Sequence, residues 1–156
     1  MPVFALPSRR SVVGPGAVLA GTLSLAALGL RGRREIGSAS APLNAVSHVL
    51  WGDEALHRDH PSVDHTPLGG AVHIASGLVW SGLYGWVRLR RRRPSALNAV
   101  TDAIGVSAVA AAIDFRLTPH RLTPGFEHRL SRSGLVWVYG AFAAGLALSG
   151  IRSRRG

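Results

Sequence analysis

Apolar residues are gathered into long blocks along the chain, and charged residues stand mostly in short runs between the blocks. Four clear blocks cover residues 11–30, 67–87, 95–113 and 134–151. An α-helix rises about 1.5 Å per residue, so about 20 apolar residues cross a hydrocarbon core about 30 Å thick. The pattern therefore predicts an all-α fold, a polytopic transmembrane helical bundle in which residues 1–156 form a single membrane domain.

The segment 41–57 (APLNAVSHVLWGDEALH) is shorter and more polar than these blocks. Taken alone, it is typical of an interfacial or re-entrant helix. An internal repeat favours a crossing helix instead. Residues 43–46 (LNAV) recur at 97–100, and residues 77–80 (GLVW) recur at 134–137.

The repeat pairs residues 41–87 with residues 95–151, and both copies would enter the membrane from the same side. This arrangement predicts one leading helix followed by two helical hairpins, which makes five crossing helices. If segment 41–57 stays at the surface, four crossing helices remain.

Arginine runs between the blocks predict the orientation, because cytoplasmic loops are enriched in basic residues. The densest run lies at 88–93, and another follows the last block at 152–155. Both the four-helix and the five-helix version place these two runs and the C-terminus in the cytoplasm, with loops 58–67 and 114–133 on the opposite side. The run at 31–34 is cytoplasmic only with five helices. The predicted location is a bacterial inner (cytoplasmic) membrane.

Composition excludes several functional classes. All 18 basic residues are Arg and the net charge is +10, but these arginines flank apolar blocks, so we expect a lipid bilayer as partner and no nucleic acid. A homo-oligomer or a second membrane protein is the other expected partner. The chain contains no Cys, which excludes disulfides, thiolate metal sites and a Cys nucleophile. No nucleophile elbow or phosphate-binding glycine loop is present.

Polar residues within the predicted helices are candidates for chemistry, because polar groups at membrane depth are costly. These are His48, His73 and Asp102, together with Asn44 and Asn98. His48 and Asp102 occupy equivalent positions of the repeat, which predicts an Asp–His pair across the two copies. Such a pair would serve either as a proton or solute site or as a hydrogen-bonded contact that fixes helix register.

The loop after segment 41–57 is rich in metal-ligating side chains. His57, His60 and His65 stand there among several carboxylates, and nitrogen and oxygen ligands suit zinc, nickel or copper. The His spacing matches no motif with a physical basis, so a solvated loop is the simpler interpretation and no cofactor is predicted. A metal site here, or a haem between His48 and His73, is the alternative.

The loop at 114–131 contains two Leu-Thr-Pro triplets and a Pro-Gly turn signal. We expect Thr123 to cap a short amphipathic helix that continues to Leu130 on the outer surface. The three arginines of this loop, Arg116, Arg121 and Arg129, are expected either to form ion pairs with Asp114 and Glu127 or to bind lipid phosphates.

Two of these segments, LNAVSHVLWGDEALHRDHPS at 43–62 and DFRLTPHRLTPGFEHRLS at 114–131, resemble a family of small proteobacterial inner-membrane proteins of uncharacterised activity. The second is the more specific and follows the pattern LTPxRLTPGFExxLS. The resemblance covers residues 41–148 and implies the architecture and the location only. A fainter likeness to YagU-type inner-membrane proteins, linked to acid resistance, rests on the helix–LTP–helix arrangement.

The sequence leaves two classes of function open. A non-enzymatic membrane protein would either pack against a partner through an exposed stripe of small residues or handle a small solute or proton in a polar cavity reaching His48, His73 and Asp102. The alternative is a metal-dependent membrane enzyme or a metal- or haem-binding protein, which would require the loop histidines to converge on one ion.

Overall fold

The computed structural model describes residues 9–93 and 95–153, with side chains from residue 14 onward. These residues form helices and turns without a strand, which confirms the all-α class. The α-helices are α1 (Arg9–Glu35), α2 (Ala41–Val46), α3 (His48–Trp51), α4 (Thr66–Leu89), α5 (Ala96–Arg116) and α6 (Arg132–Arg152). Short 3-10 turns lie at Asp53–His57, His120–Leu122 and Phe126–His128.

The four long helices α1, α4, α5 and α6 form an up-and-down bundle in which chain neighbours are antiparallel. Helix α1 packs against α4 and α6, and α5 packs against the same two helices on the other side. The α1–α6 contact is close, because a Cβ on Gly145 would overlap the backbone of Ala20. Small residues therefore set the spacing of this pair.

The bundle has two distinct ends. The loop end carries segments 36–65 and 117–131, and the basic end carries residues 90–93 and the C-terminus of α6. At the loop end, Oε2 of Glu35 accepts a 2.6 Å hydrogen bond from the backbone N–H of Ser131, which joins the end of α1 to the start of α6. Burial raises the pKa of Glu35, but this bond and the bonds from the Arg31 guanidinium and the Ser131 hydroxyl outweigh it, so the pKa lies below its usual 4.5.

Segment 41–57 does not form one helix, which corrects the five-helix expectation. It folds into α2, α3 and a 3-10 turn, and the six residues of α2 span only about 9 Å. The chain turns at Gly52, whose φ is +78°. The bundle therefore has the four-helix connectivity, with residues 31–35 at the loop end.

The predicted parallel repeat is not reproduced in this geometry. Residues 43–46 and 97–100 are both helical, but the first tetrapeptide lies at the loop end and the second begins α5 at the basic end. Helices α4 and α6, which contain the other matched tetrapeptides, do run in the same direction. The same four residues form the end of a short, mostly buried helix in one place and the first turn of a long helix in the other, because helix formation over four residues is a local property.

Two of the described helices, α5 and α6, are long and apolar enough to cross a membrane. Their starts follow from the sequence, since the hydroxyls of Ser95 and Ser131 accept hydrogen bonds from the N–H groups of Asn98 (3.0 Å) and Gly134 (3.1 Å). A serine cap of this kind satisfies a free N–H group at a helix N-terminus.

Candidate functional site: a polar cavity beneath the loop end

A cavity of about 70 Å³ lies inside the bundle directly beneath segment 122–126. Its wall is mostly apolar and comes from all four long helices. The polar side chains that line it are Ser24, His73, Ser76, Asp114, Thr123 and Tyr139. This volume accommodates a few water molecules or a small solute.

His73 and Ser24 connect α4 to α1 on one side of the cavity. Nε2 of His73 lies 2.8 Å from Oγ of the buried Ser24, and the same oxygen lies 3.2 Å from the carbonyl of Gly21. If the Ser24 hydroxyl donates to the carbonyl of Gly21, it accepts a hydrogen bond from Nε2–H of His73. If it donates to Nε2 instead, the imidazole carries its proton on Nδ1. The pair therefore permits either tautomer of His73.

Tyr139 and Asp114 connect α6 to α5 on the other side. The Tyr139 hydroxyl donates a 2.6 Å hydrogen bond to Oδ2 of Asp114. The backbone at this point is held by Ser107, whose hydroxyl donates to the carbonyl of Tyr139 at 2.7 Å. The ring of Phe115 meets the Tyr139 ring edge-on with 5.4 Å between centroids.

Phe126 closes the cavity at the loop end. Its side chain is buried, and its ring centroid lies 6.1 Å from that of His73 and 6.2 Å from that of Tyr139. Gly125 places it there with a φ of +82°, and a Cβ at this position would lie 2.7 Å from Nδ1 of His48. The predicted helix from Thr123 to Leu130 does not form: the 3-10 turn Phe126–His128 is the regular element described in this range, and it follows Gly125 with its positive φ.

His48 and Asp102 do not meet, so the predicted Asp–His pair is wrong. His48 is buried at the loop end, where its ring nitrogens lie 2.9 Å from the carbonyl oxygen of Ala45 and 3.1 Å from that of His120. Asp102 lies at the basic end. The two positions are separated by the bundle because the matched tetrapeptides lie at opposite ends, and neither residue lines the cavity.

Asp102 forms a buried ion pair with two arginines at the end of α4. Its Oδ2 accepts from Nη1 of Arg88 at 3.3 Å, and the side chains of both residues are 4% exposed. Arg91 turns back and binds both carboxylate oxygens. The Tyr84 hydroxyl donates to the carbonyl of Ala99 nearby, at 3.1 Å. This cluster joins α4 to α5 and leaves no free carboxylate oxygen for a solute.

The three loop histidines do not converge. His65 is buried, with Nδ1 3.1 Å from the Ser47 hydroxyl, whereas His57 and His60 are exposed. No group of three or more metal-ligating side chains within the described ranges is arranged to hold an ion. A haem between His48 and His73 does not fit either, because both nitrogens of His48 face carbonyl oxygens.

The two asparagines hold backbone at opposite ends of the bundle. Nδ2 of Asn44 donates to the carbonyls of Arg58 and His60, each at 2.9 Å, and its Oδ1 accepts from Thr66 at 2.7 Å. Asn98 donates to the carbonyl of Arg93 at 3.2 Å. Both residues fix loops and lie outside the cavity wall.

Arg121 and Arg129 attach segment 117–131 to the short helices of the loop end. Arg121 donates to the carbonyls of Val49 and Leu50 at 3.1 and 3.2 Å. Arg129 donates to the carbonyl of Leu56 at 3.0 Å and pairs with Asp59. These arginines satisfy free carbonyls at helix C-termini and hold Phe126 in place.

Arg116 and Glu127, the other two charged residues of this loop, make fewer polar contacts. Arg116 is exposed and makes no ion pair within the described part of the chain. Glu127 lies 3.7 Å from His128 through Oε1, whereas its Oε2 is buried and accepts no hydrogen bond from a described residue.

Among the polar side chains of the cavity, the sequence singled out His73 as an intramembrane site residue, and it placed Thr123 in the outer loop as a helix cap. Asp114 lies one residue beyond the predicted block 95–113, and Tyr139 is one of several aromatic residues in the block 134–151. Ser24 is one of several serines in an apolar block and carries no signal of its own. The partner of each residue lies on a different helix, so no sequence spacing reports the pairing.

A scan against protein-family models found no match to this chain, and searches of curated proteins and of solved structures likewise found none.

Proposed function

We propose that the chain is a four-span membrane protein that binds a small hydrogen-bonding solute in the cavity at the loop end. The observation that carries this proposal is the pairing of His73 with Ser24 and of Asp114 with Tyr139 on opposite walls of one cavity. Burying these four polar groups among apolar helices is costly, and solute binding offsets that cost.

The exposed surface of the bundle supports placement in a membrane. Apolar side chains at least 50% exposed occur on each long helix: Val18, Leu30, Leu78, Val79, Leu97, Ile104, Val136 and Trp137. Hydrophobic exposure on every side of a bundle indicates a lipid environment. With 27 and 24 residues, α1 and α4 extend about 40 and 36 Å, so length also permits them to cross.

The arginine distribution supports a bacterial inner membrane with the basic end in the cytoplasm. Arg88, Arg90–Arg93 and Arg152 lie at this end. The C-terminus is then cytoplasmic, and the cavity lies in the half of the bundle nearer the opposite face.

One stripe of small residues is used within the bundle. Gly77, Ser81 and Gly85 form a stripe on α4 that would suit contact with another protein, but all three residues are buried within the bundle. This stripe is therefore not available to a partner.

The cavity is better suited to binding than to catalysis. A Ser–His pair acts as nucleophile and base when a third group orients the imidazole. Asp114 does not orient the imidazole of His73, because its described hydrogen bond is with Tyr139. The site offers a carboxylate, an imidazole and two hydroxyl groups, which suit a solute with N–H or O–H donors.

Cysteine accessibility tests the proposal, since the chain has no native Cys. Ala110 lines the cavity, whereas Ala103, two turns away on α5, lies in the buried core and not in the cavity wall. In membrane vesicles, 2-aminoethyl methanethiosulfonate should modify Ala110→Cys and leave Ala103→Cys unmodified. Equal modification of both, or of neither, would contradict a water-accessible cavity.

A further inference from the structure

Acidic residues are unevenly divided between the ends of the bundle. The chain has 8 acidic residues, all described, and one of them, Asp102, lies near the basic end. The other acids lie towards the loop end: Glu35, Asp53, Glu54, Asp59, Asp64, Asp114 and Glu127. Asp102 is already paired with Arg88 and Arg91, so the other arginines with described side chains at this end have no ion pair with a described residue: Arg90, Arg92, Arg93 and Arg152.

Three of these arginines lie within the four residues that follow α4. Arg90, Arg92 and Arg93 are exposed, and their guanidinium groups make no hydrogen bond or ion pair with a described residue. Arg88 and Arg91 are held inward by Asp102, which leaves the other three side chains outside the bundle. An arginine side chain carries five N–H donors that match phosphate oxygens in a bidentate arrangement.

The ring of Trp86, near the end of α4, lies next to this group of arginines. The guanidinium of Arg90 lies 4.1 Å from the ring centroid of Trp86, and Trp86 is 46% exposed. Tryptophan is enriched at the headgroup level of membranes, where its ring contacts acyl chains and its N–H stays near water. Leu97, in the first turn of α5, is 72% exposed and adds apolar surface at the same end.

We propose that Arg90, Arg92, Arg93 and Trp86, hereafter the basic patch, bind the phosphate of an anionic phospholipid. The guanidinium groups supply the missing counter-charge, and Trp86 contacts the lipid beside its headgroup. Inorganic phosphate shares the headgroup chemistry but would make no use of the apolar surface. The proposal rests on the membrane placement of the bundle and is independent of the cavity.

The test uses the full chain purified in neutral detergent and titrated with phosphatidylglycerol or phosphatidylcholine of the same acyl chains. Native mass spectrometry reports the bound lipid. The wild-type chain should retain phosphatidylglycerol in preference to phosphatidylcholine. The triple variant Arg90→Gln/Arg92→Gln/Arg93→Gln should lose that preference, with a fall in affinity on the order of 100-fold, from about 1 kcal/mol per arginine.

A matched triple variant controls for net charge. Arg33, Arg34 and Arg132 are exposed, lie at the loop end and make no described ion pair, so their replacement by Gln removes the same charge from the opposite end. This variant should keep the wild-type preference, and Trp86→Leu should weaken it. Equal loss in both triple variants, no preference in the wild type, or displacement of the lipid by millimolar inorganic phosphate would overturn the proposal.

Discussion

The hydroxyl of Tyr139 donates a 2.6 Å hydrogen bond to Oδ2 of Asp114, which joins α6 to α5 where the cavity meets the loop end. Both residues line the cavity, so this bond fixes the position of the carboxylate that a solute would meet. Phe126 lies against the same tyrosine ring. The bond therefore couples the cavity wall to the segment that covers it.

Replacing Tyr139 by Phe should destabilise the bundle by about 1–3 kcal/mol, because Asp114 loses its described partner in a partly buried position. Chemical unfolding in detergent measures this cost. The two side chains act as a pair, so Tyr139→Phe combined with Asp114→Asn should cost clearly less than the sum of the single changes. Strict additivity would show that the bond does not contribute to stability.

Gly125 is the one glycine of segment 117–131, and its conformation and surroundings leave no room for a side chain. Its φ is +82° and a Cβ would crowd His48, so Gly125→Ala should cost about 1–3 kcal/mol of unfolding free energy. Gly140 in α6 serves as the control, since a Cβ there meets nothing within 4 Å. If the two variants unfold at the same denaturant concentration, the loop does not hold Gly125 in this conformation.

The ion-pair cluster at the basic end predicts unequal costs for its members. Asp102→Asn leaves Arg88 buried without a counter-charge and should cost about 3–5 kcal/mol. The Arg91 side chain is 44% exposed and solvent screens its charge, so Arg91→Gln should cost much less than Asp102→Asn. Thermal unfolding of both variants in detergent compares them directly. A larger effect at Arg91 would place the buried contact elsewhere.

Topology distinguishes the four-span bundle from a five-span one. Single cysteines at Ala39 and Val63 lie on segments of the loop end, whereas Ser153 follows α6 at the basic end. A membrane-impermeant maleimide should label Ala39→Cys and Val63→Cys in intact cells after the outer membrane is made permeable, and Ser153→Cys only after the inner membrane is also opened. Labelling of Ala39 together with Ser153 would restore the five-span arrangement.

The long helices were predictable from sequence because their signal is local. Blocks of about 20 apolar residues and the serines before α5 and α6 each act within one helix. The prediction of one crossing helix over segment 41–57 was wrong because a four-residue match carries no information about the residues beyond it. Here α2 ends at Val46 and the chain turns again at Gly52, whereas α5 in the second copy continues to Arg116.

The cavity was not predictable because its parts come from four helices. His73 stood out as a polar residue in an apolar block, but its partner Ser24 lies 49 positions away and did not. Asp102 stood out as well, but its role is to pair with Arg88. In the sequence Arg88 is one member of an arginine run, and nothing distinguishes it from the others. A single sequence reports which polar residues are costly but not which ones meet.

The charge of the cavity is the most direct test of the proposed solute site. In Ala110→Cys, the rates of modification by 2-aminoethyl methanethiosulfonate and by its anionic sulfonatoethyl analogue give a ratio that reports the local potential. We predict that the cation reacts faster and that adding Asp114→Asn lowers the ratio by at least about tenfold, equivalent to about 1.4 kcal/mol of Coulomb energy. A ratio that does not change with Asp114→Asn would contradict a solute site built around this carboxylate.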